Sequence, residues 1–271
     1  MRAGLKAANF RLERVIFTAT TGRSGTLALA RLFSAIPGCI GLHEPYPEMN
    51  GELLHAATYG NVKLVDRVYR RVKSINILRA ALGRRFYFES NHLFLKVFMD
   101  QALADFGERA AVIHVVRPAL EVATSIYRLQ EEPGTTIGNY WWLDHHAPTN
   151  LIRLADILDS DQEFSHPFYK ALWYWYEIEM RAKSLRRSHP NLRIVRFETG
   201  WINEPARVRT LLNEVGIEYD ASTLPSLAGE RINVREVQKG LAPLPSDQTL
   251  AMQGRFERLL SQRDIDLSAI G

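Results

Sequence analysis

From Val15 to Ile36 the chain reads VIFTATTGRSGTLALARLFSAI, and few folds accommodate that order of residue types. Val15 to Thr20 are β-branched, aromatic or small and mostly apolar, the composition of a buried strand. Thr21-Gly22-Arg23-Ser24-Gly25-Thr26 follows as a turn whose glycines can take positive φ and let an anion approach the backbone. Leu27, Leu29, Ala30, Leu32 and Phe33 then give one apolar helix face, closed by Pro37-Gly38. In a strand, glycine turn and helix taken together, free N–H groups and the helix dipole both point at the turn, and a phosphate fits there.

The kind of phosphate site is decided by what the turn lacks. In the Walker A pattern, G-x-x-x-x-G-K-[ST], the Lys reaches the terminal phosphates and the Ser/Thr holds Mg²⁺. With Gly25 as its second glycine, the first falls on Thr20, the Lys on Thr26 and the Ser/Thr on Leu27. A metal-dependent kinase or ATPase would be without its lysine and its metal ligand. The chain carries a net charge of +4, mostly from Arg, which suits acidic ligands. It has no long Lys/Arg run, zinc-finger spacing or aromatic RNA-binding motif, so a phosphorylated small molecule is preferred to nucleic acid. The single cysteine, Cys39, leaves no internal disulfide framework or cysteine metal cluster, and its apolar surroundings mark a buried spectator. No apolar run approaches the ~20 residues of a membrane span, and the N-terminus shows no signal-peptide core. The expected location is cytoplasmic.

Further strands are expected over Cys39–Leu42, Arg85–Ser90, Ala110–Val116 and Leu192–Phe197. Helices are expected over 61–82, 118–129, 167–187, 205–215 and 248–260. Leu93–Phe98 reads as an extension of the third strand or the entry to a short helix. Segment 46–60 is mixed and turn-rich, and 130–149 looks like a long irregular insertion. Arg67, Arg70, Arg71 and Lys73 read as a solvated helix face, and the aromatics at 168–176 as core. Five apolar strands alternating with helices give a three-layer α/β/α sandwich around a mainly parallel sheet. With no repeat or linker evident, residues 1–271 are read as one domain.

The fourth strand ends at Arg117, and Ser125 follows eight residues later, about two helical turns on. Ligands of open parallel sheets bind beyond the carboxyl ends of the strands, where Arg117 and the 22–26 turn both lie. Arg23-Ser24-Gly25-Thr26 resembles the 5′-phosphosulfate loop of the sulfotransferases, Lys/Arg-Ser-Gly-Thr between a strand and a helix. Arg117 and Ser125 resemble that family's 3′-phosphate element, R-[DP]-P-x-x-x-x-x-S, without the acidic residue often found after the Arg. The likeness runs from Val15 to about Leu129, and more loosely through Arg193–Glu198.

This resemblance implies a sulfotransferase fold, P-loop NTPase-like in layout; the strand pattern by itself shows only α/β. It also implies transfer of a sulfuryl group from 3′-phosphoadenosine 5′-phosphosulfate (PAPS) to a hydroxyl or amine of a carbohydrate, lipid or small-molecule acceptor, with no metal. Arg23 would then stabilise the leaving phosphate. The backbone of Gly22, Ser24, Gly25 and Thr26 would cradle the 5′-phosphate, and Arg117 with Ser125 would hold the 3′-phosphate. Glu44, in the His43-Glu44-Pro45 run after the second strand, is the first choice of base, with His43 second and Glu89 third. A P-loop small-molecule kinase and a non-catalytic phosphoadenosine-binding relative remain the alternatives. Asp144-His145-His146 contains metal-ligand types but lacks a spaced partner. Trp141 and Trp142 suit either an acceptor platform or burial. Arg235 and Lys239 stand near a late Gln238-Lys239-Gly240 run similar to a basic-glycine loop of some sulfotransferases.

Overall fold

A computed structural model describes residues 2–219 and 240–267. Arg235 and Lys239 lie outside the described residues. The chain begins with α1 (Arg2–Ala8), β1 (Arg14–Ala19), α2 (Thr26–Ser34) and β2 (Cys39–His43). Then come α3 (Glu52–Thr58), α4 (Val62–Val68), a π-helical turn (Tyr69–Lys73), α5 (Ser74–Ala80) and β3 (Phe86–Ser90). A second π-helical turn (Phe94–Phe98) leads into α6 (Met99–Phe106), followed by β4 (Ala110–Val116) and α7 (Ala119–Leu129). The remainder comprises α8 (Thr136–Trp141), α9 (Ala155–Ser160), α10 (Pro167–Ser188), β5 (Arg193–Glu198), α11 (Pro205–Val215) and α12 (Ser246–Gln262).

The chain groups into two compact units. The first, Met1–Met49 with Asn61–Val116 and His189–Val234, contains the sheet. Its five strands are all parallel, in the order β2-β3-β1-β4-β5. Helices cover both faces, so this is the three-layer α/β arrangement expected from the alternation of strands and helices. Side chains alternate across β1 as the pleat requires. Ile16 joins Leu29, Leu32 and Phe33 of α2 and Leu211, Leu212 and Val215 of α11 in one core cluster. Phe17 stacks on Phe94 at 4.7 Å and meets Phe98 and Phe106 on the opposite face. Gly41 is needed where β2 lies against α2, since a Cβ there would sit 2.3 Å from the Ala30 carbonyl oxygen. Cys39 is buried, and burial pushes its thiol up to about 12, which suits a spectator.

The region expected as one helix over 61–82 is helical throughout, but the π-helical turn inside it shifts the register. Lys73, read from the sequence as part of a solvated face, is therefore buried. The 3.6-residue period assumed for that face stops applying at the wider turn.

The second unit consists of Asn50–Gly60, Arg117–Ser188 and Arg235–Gly271. It is helical, with α7 and α12 packed on α10. The aromatics of α10 are core, as expected: Phe168, Trp173 and Tyr174 are fully buried. Two stretches read as irregular contain short helices, α3 within 46–60 and α8 within 130–149. Each is too brief to show a helical period in sequence. Among the described residues, no helix is long and apolar enough to cross a membrane.

Candidate functional site

Because the strands run parallel, the segments leaving β1, β2, β3 and β5 emerge at one edge of the sheet in the first unit. The turn after β1 has the conformation its glycines allowed. Gly22, Arg23 and Gly25 have φ of 80°, 54° and 72°. Left-handed residues at three positions bend the backbone into a tight turn, a class of geometry that can receive an anion. Gly25 is the N-cap of α2 and supplies no capping side chain, and the Ala28 N–H is taken by the Gly25 carbonyl at 3.0 Å. Ser24 and Thr26 are buried, and the Ser24 and Thr20 hydroxyls are hydrogen-bonded to each other. Thr199, just past β5, lies with its Oγ1 3.1 Å from the carbonyl oxygens of both Ser24 and Val116. Its one hydroxyl proton serves one of them at a time. Its methyl would stand 3.0 Å from a Cβ placed on Gly25.

Arg23 is half-buried. A non-glycine residue in the left-handed region costs of order 1–3 kcal/mol and persists where surroundings impose it, often at sites of function. Glu44 is a second such residue at this edge, with φ of 46°.

The segment carrying Glu44 is clamped from several sides. The Glu44 N–H donates to the Ser90 carbonyl at 2.9 Å. Lys73 Nζ donates to the Pro45 carbonyl at 2.8 Å, Asn76 to Tyr46 at 3.0 Å, and Asn91 to Glu48 at 3.3 Å. His43 Nδ1 lies 2.9 Å from the Ser90 hydroxyl, and burial lowers the His43 pKa below the usual histidine value.

Glu89 has a different role from the one offered to it as third candidate base. It is fully buried, with Lys73 Nζ at 2.6 Å, the Tyr87 hydroxyl at 2.7 Å and Asn91 Nδ2 at 2.9 Å. Its oxygens are engaged by the core. Glu44, by contrast, keeps a quarter of its side chain exposed. Sequence reasoning missed Thr199, Lys73 and the His92 neighbour of Glu44 just beyond β3. Only the i,i+4 spacing of His92 and Lys96 hinted at the last of these.

Arg117 and Ser125 belong to the second unit. Arg117 Nε donates to Glu121 at 2.8 Å, and its carbonyl accepts from Trp175 Nε1 at 2.8 Å. Ser125 is half-buried on α7. In the same unit, the ligand atoms of Asp144, His145 and His146 lie within 4.8 Å of one another. Asp159 bonds His145 Nε2 at 2.8 Å and approaches His146 Nε2 at 2.7 Å, while the Lys170 ammonium stands 2.6 Å from Asp159. That ammonium supplies the positive charge a metal would bring, so the cluster reads as an ion-paired clasp. Burial works to raise the Asp159 carboxyl, but hydrogen bonds from Lys170 and His145 outweigh it and hold the group at about 2. Trp142 is buried and Trp141 half-buried, which leaves no broad exposed indole pair.

The backbone just after the 130–149 stretch is tied down within this unit. Buried Glu177 on α10 accepts from the N–H groups of Leu151 and Ile152 and from Arg181, and Trp173 Nε1 donates to the Ile152 carbonyl at 2.8 Å. Burial raises the Glu177 pKa against the opposing pull of Arg181.

No protein-family model matches the chain, and no curated protein matches it in sequence. Solved structures do match. The sulfotransferase domain from the curacin biosynthetic pathway is 13% identical, with a TM-score of 0.50, covering 94% of this chain and 99% of that one. A sulfotransferase from Alicyclobacillus acidocaldarius is 14% identical, with a TM-score of 0.47, covering 94% and 97%. The sulfotransferase domain of the Synechococcus PCC 7002 olefin synthase is 14% identical, with a TM-score of 0.46, covering 90% and 94%. The first of these likenesses establishes the fold: this chain has the sulfotransferase fold, spanned over nearly its whole length. At such identity it establishes the fold and nothing finer.

Proposed function

We propose that this protein is a sulfotransferase that moves a sulfuryl group from PAPS to a hydroxyl or amine of a carbohydrate, lipid or small-molecule acceptor. One observation carries the reading. The turn formed by Gly22, Arg23 and Gly25 at the start of α2 shares the sheet edge with Glu44, and both Arg23 and Glu44 are held in left-handed backbone. A glycine turn that carries a cation, with an acid on the same sheet edge, supplies the groups sulfuryl transfer needs.

In the proposed reaction the acceptor oxygen forms a bond to sulfur while the bond from sulfur to the bridging phosphate oxygen breaks, releasing adenosine 3′,5′-bisphosphate. The acceptor proton passes to the Glu44 carboxylate. Negative charge grows on the departing 5′-phosphate, where the Arg23 guanidinium and the N–H groups of Ser24, Gly25 and Thr26 stabilise it. Arg stays charged, so Arg23 is an electrostatic clamp and not a proton donor. Thr20, Thr26 and Leu27 at the Walker positions leave no lysine or metal ligand for ATP chemistry. Arg117 and Ser125 are assigned the 3′-phosphate on the sequence resemblance alone. The lone cysteine agrees with the cytoplasmic location we take for the chain.

Calorimetry with adenosine 3′,5′-bisphosphate tests this directly. Saturable binding is expected, weakened by tenfold or more, about 1.4 kcal/mol, in Arg117→Ala. Arg23→Ala should abolish transfer. Absence of binding to the pure, folded protein would overturn the reading.

A further inference from the structure

Two residues beyond β3, the ring of His92 is buried, and Lys96, one turn later in the π-helical segment, is buried with it. Lys96 Nζ lies 2.8 Å from His92 Nδ1. A charged lysine offers three donors and no acceptor, so the nitrogen it faces must be the one with the lone pair. The ring proton then sits on Nε2. That nitrogen faces Glu44 Oε1 at 3.5 Å, a separation that tightens to a hydrogen bond with a small rotation of either side chain. Charged and titratable groups facing the ring include Lys96, Glu44 and His43. Burial, then the charge of Lys96, then His43 hold the His92 pKa well below the usual histidine value, so the ring stays neutral.

The Glu44 backbone is already fixed by its N–H to Ser90 and by the clamps on Pro45, Tyr46 and Glu48. What the backbone does not settle is the direction of the partly exposed carboxylate. A neutral imidazole could present either a donor or a lone pair to it; a lone pair would repel it. Lys96 removes that choice.

We propose that Lys96 and His92 form a positioning pair for Glu44. Lys96 fixes His92 as the Nε2–H tautomer, and that N–H anchors Glu44 Oε1 and sets the direction in which the carboxylate meets the acceptor. The role assigned to Glu44 rests on the sulfotransferase reading; the tautomer and its cause do not.

Two measurements test the pair. Nitrogen-correlated NMR of the His92 ring in the full chain should show the Nε2–H tautomer, unchanged from about pH 5.5 to about pH 8. Lys96→Met should let the ring gain Nδ1–H population or titrate within that range. An Nδ1–H ring in the native protein, or a spectrum indifferent to Lys96→Met, overturns the proposal. The second readout is transfer. Gln places an amide N–H near the position of Nε2, so His92→Gln should retain most of the rate. His92→Leu should lose about 10²-fold in kcat, the cost of a misdirected catalytic group, with little change in donor KM. Equal losses in the two variants also overturn it. If no acceptor is ever sulfated, the sulfotransferase reading fails by itself, and the NMR result still decides the pair.

Discussion

Lys73 and Lys96 occupy the same kind of place: each is a buried lysine in a five-residue π-helical turn at the edge of the same sheet. Their partners differ. Lys73 closes on the buried carboxylate of Glu89 and on a backbone carbonyl, and the charges cancel inside the core. Lys96 meets a neutral imidazole, and the line of contacts runs on through His92 to Glu44, a quarter exposed at the rim. A closed pair holds structure, whereas an open chain carries polarity to a place where a substrate can meet it. Widened helical turns recur at functional positions because they re-aim side chains that a regular helix would send elsewhere. Here one turn aims inward for stability and the other aims toward Glu44.

The contrast breaks if the two lysines behave alike. Transfer should fall by about 10²–10⁴-fold in Glu44→Gln, the range for losing a general base, with thermal stability near that of the native protein. A fall in stability matching a core variant would mean that Glu44 belongs to the scaffold. Lys73→Met leaves the Glu89 carboxylate buried without its cation and should destabilise the fold by about 3–5 kcal/mol in chemical denaturation. Combining it with Glu89→Leu should recover most of that loss, and failure to recover would show that the pair does more than cancel charge. The Asp159 cluster marks the mild end. Asp159 is about a third exposed, so solvent screening keeps the cost of Asp159→Asn near ~1 kcal/mol. Its folded pKa of about 2 lies below the ordinary 3.8. Its contribution is therefore complete above pH 3.8 and disappears as the pH falls toward 2. Acid unfolding curves of native and variant protein should converge over that window.

Much of the fold was legible in sequence because it rests on short-range rules. The predicted fourth strand coincides with β4 residue for residue, and Gly216 ends α11 where a C-cap glycine should. The glycine turn has the left-handed conformations its residues permit. Misreadings fall where a local rule is interrupted. The π-helical turn carried Lys73 off the exposed face, and α3 and α8 are too short to show a period. The 130–149 stretch showed no period because α8 within it has only 6 residues, and the backbone just after it, at Leu151 and Ile152, is held by Glu177 and Trp173 on a later helix.

By itself, the sequence determined the alternation of five strands with helices, the left-handed glycine turn between β1 and α2, and the absence of a Walker lysine there. Each of these depends on residues within one strand or a few helical turns of each other. Tertiary structure alone decided how each acid is surrounded. Glu44 and Glu89 both stand by strand ends, and only a resemblance of the His43-Glu44-Pro45 run ranked one above the other. Pairing of β2 with β3 sets His43 beside Ser90, which brings Glu44 to the edge next to His92. The π-helical turn at Tyr69–Lys73 drives a lysine onto Glu89 instead. A carboxylate is kept as structure or left for chemistry by the charges that long-range packing brings to it, and those charges come from distant parts of the chain.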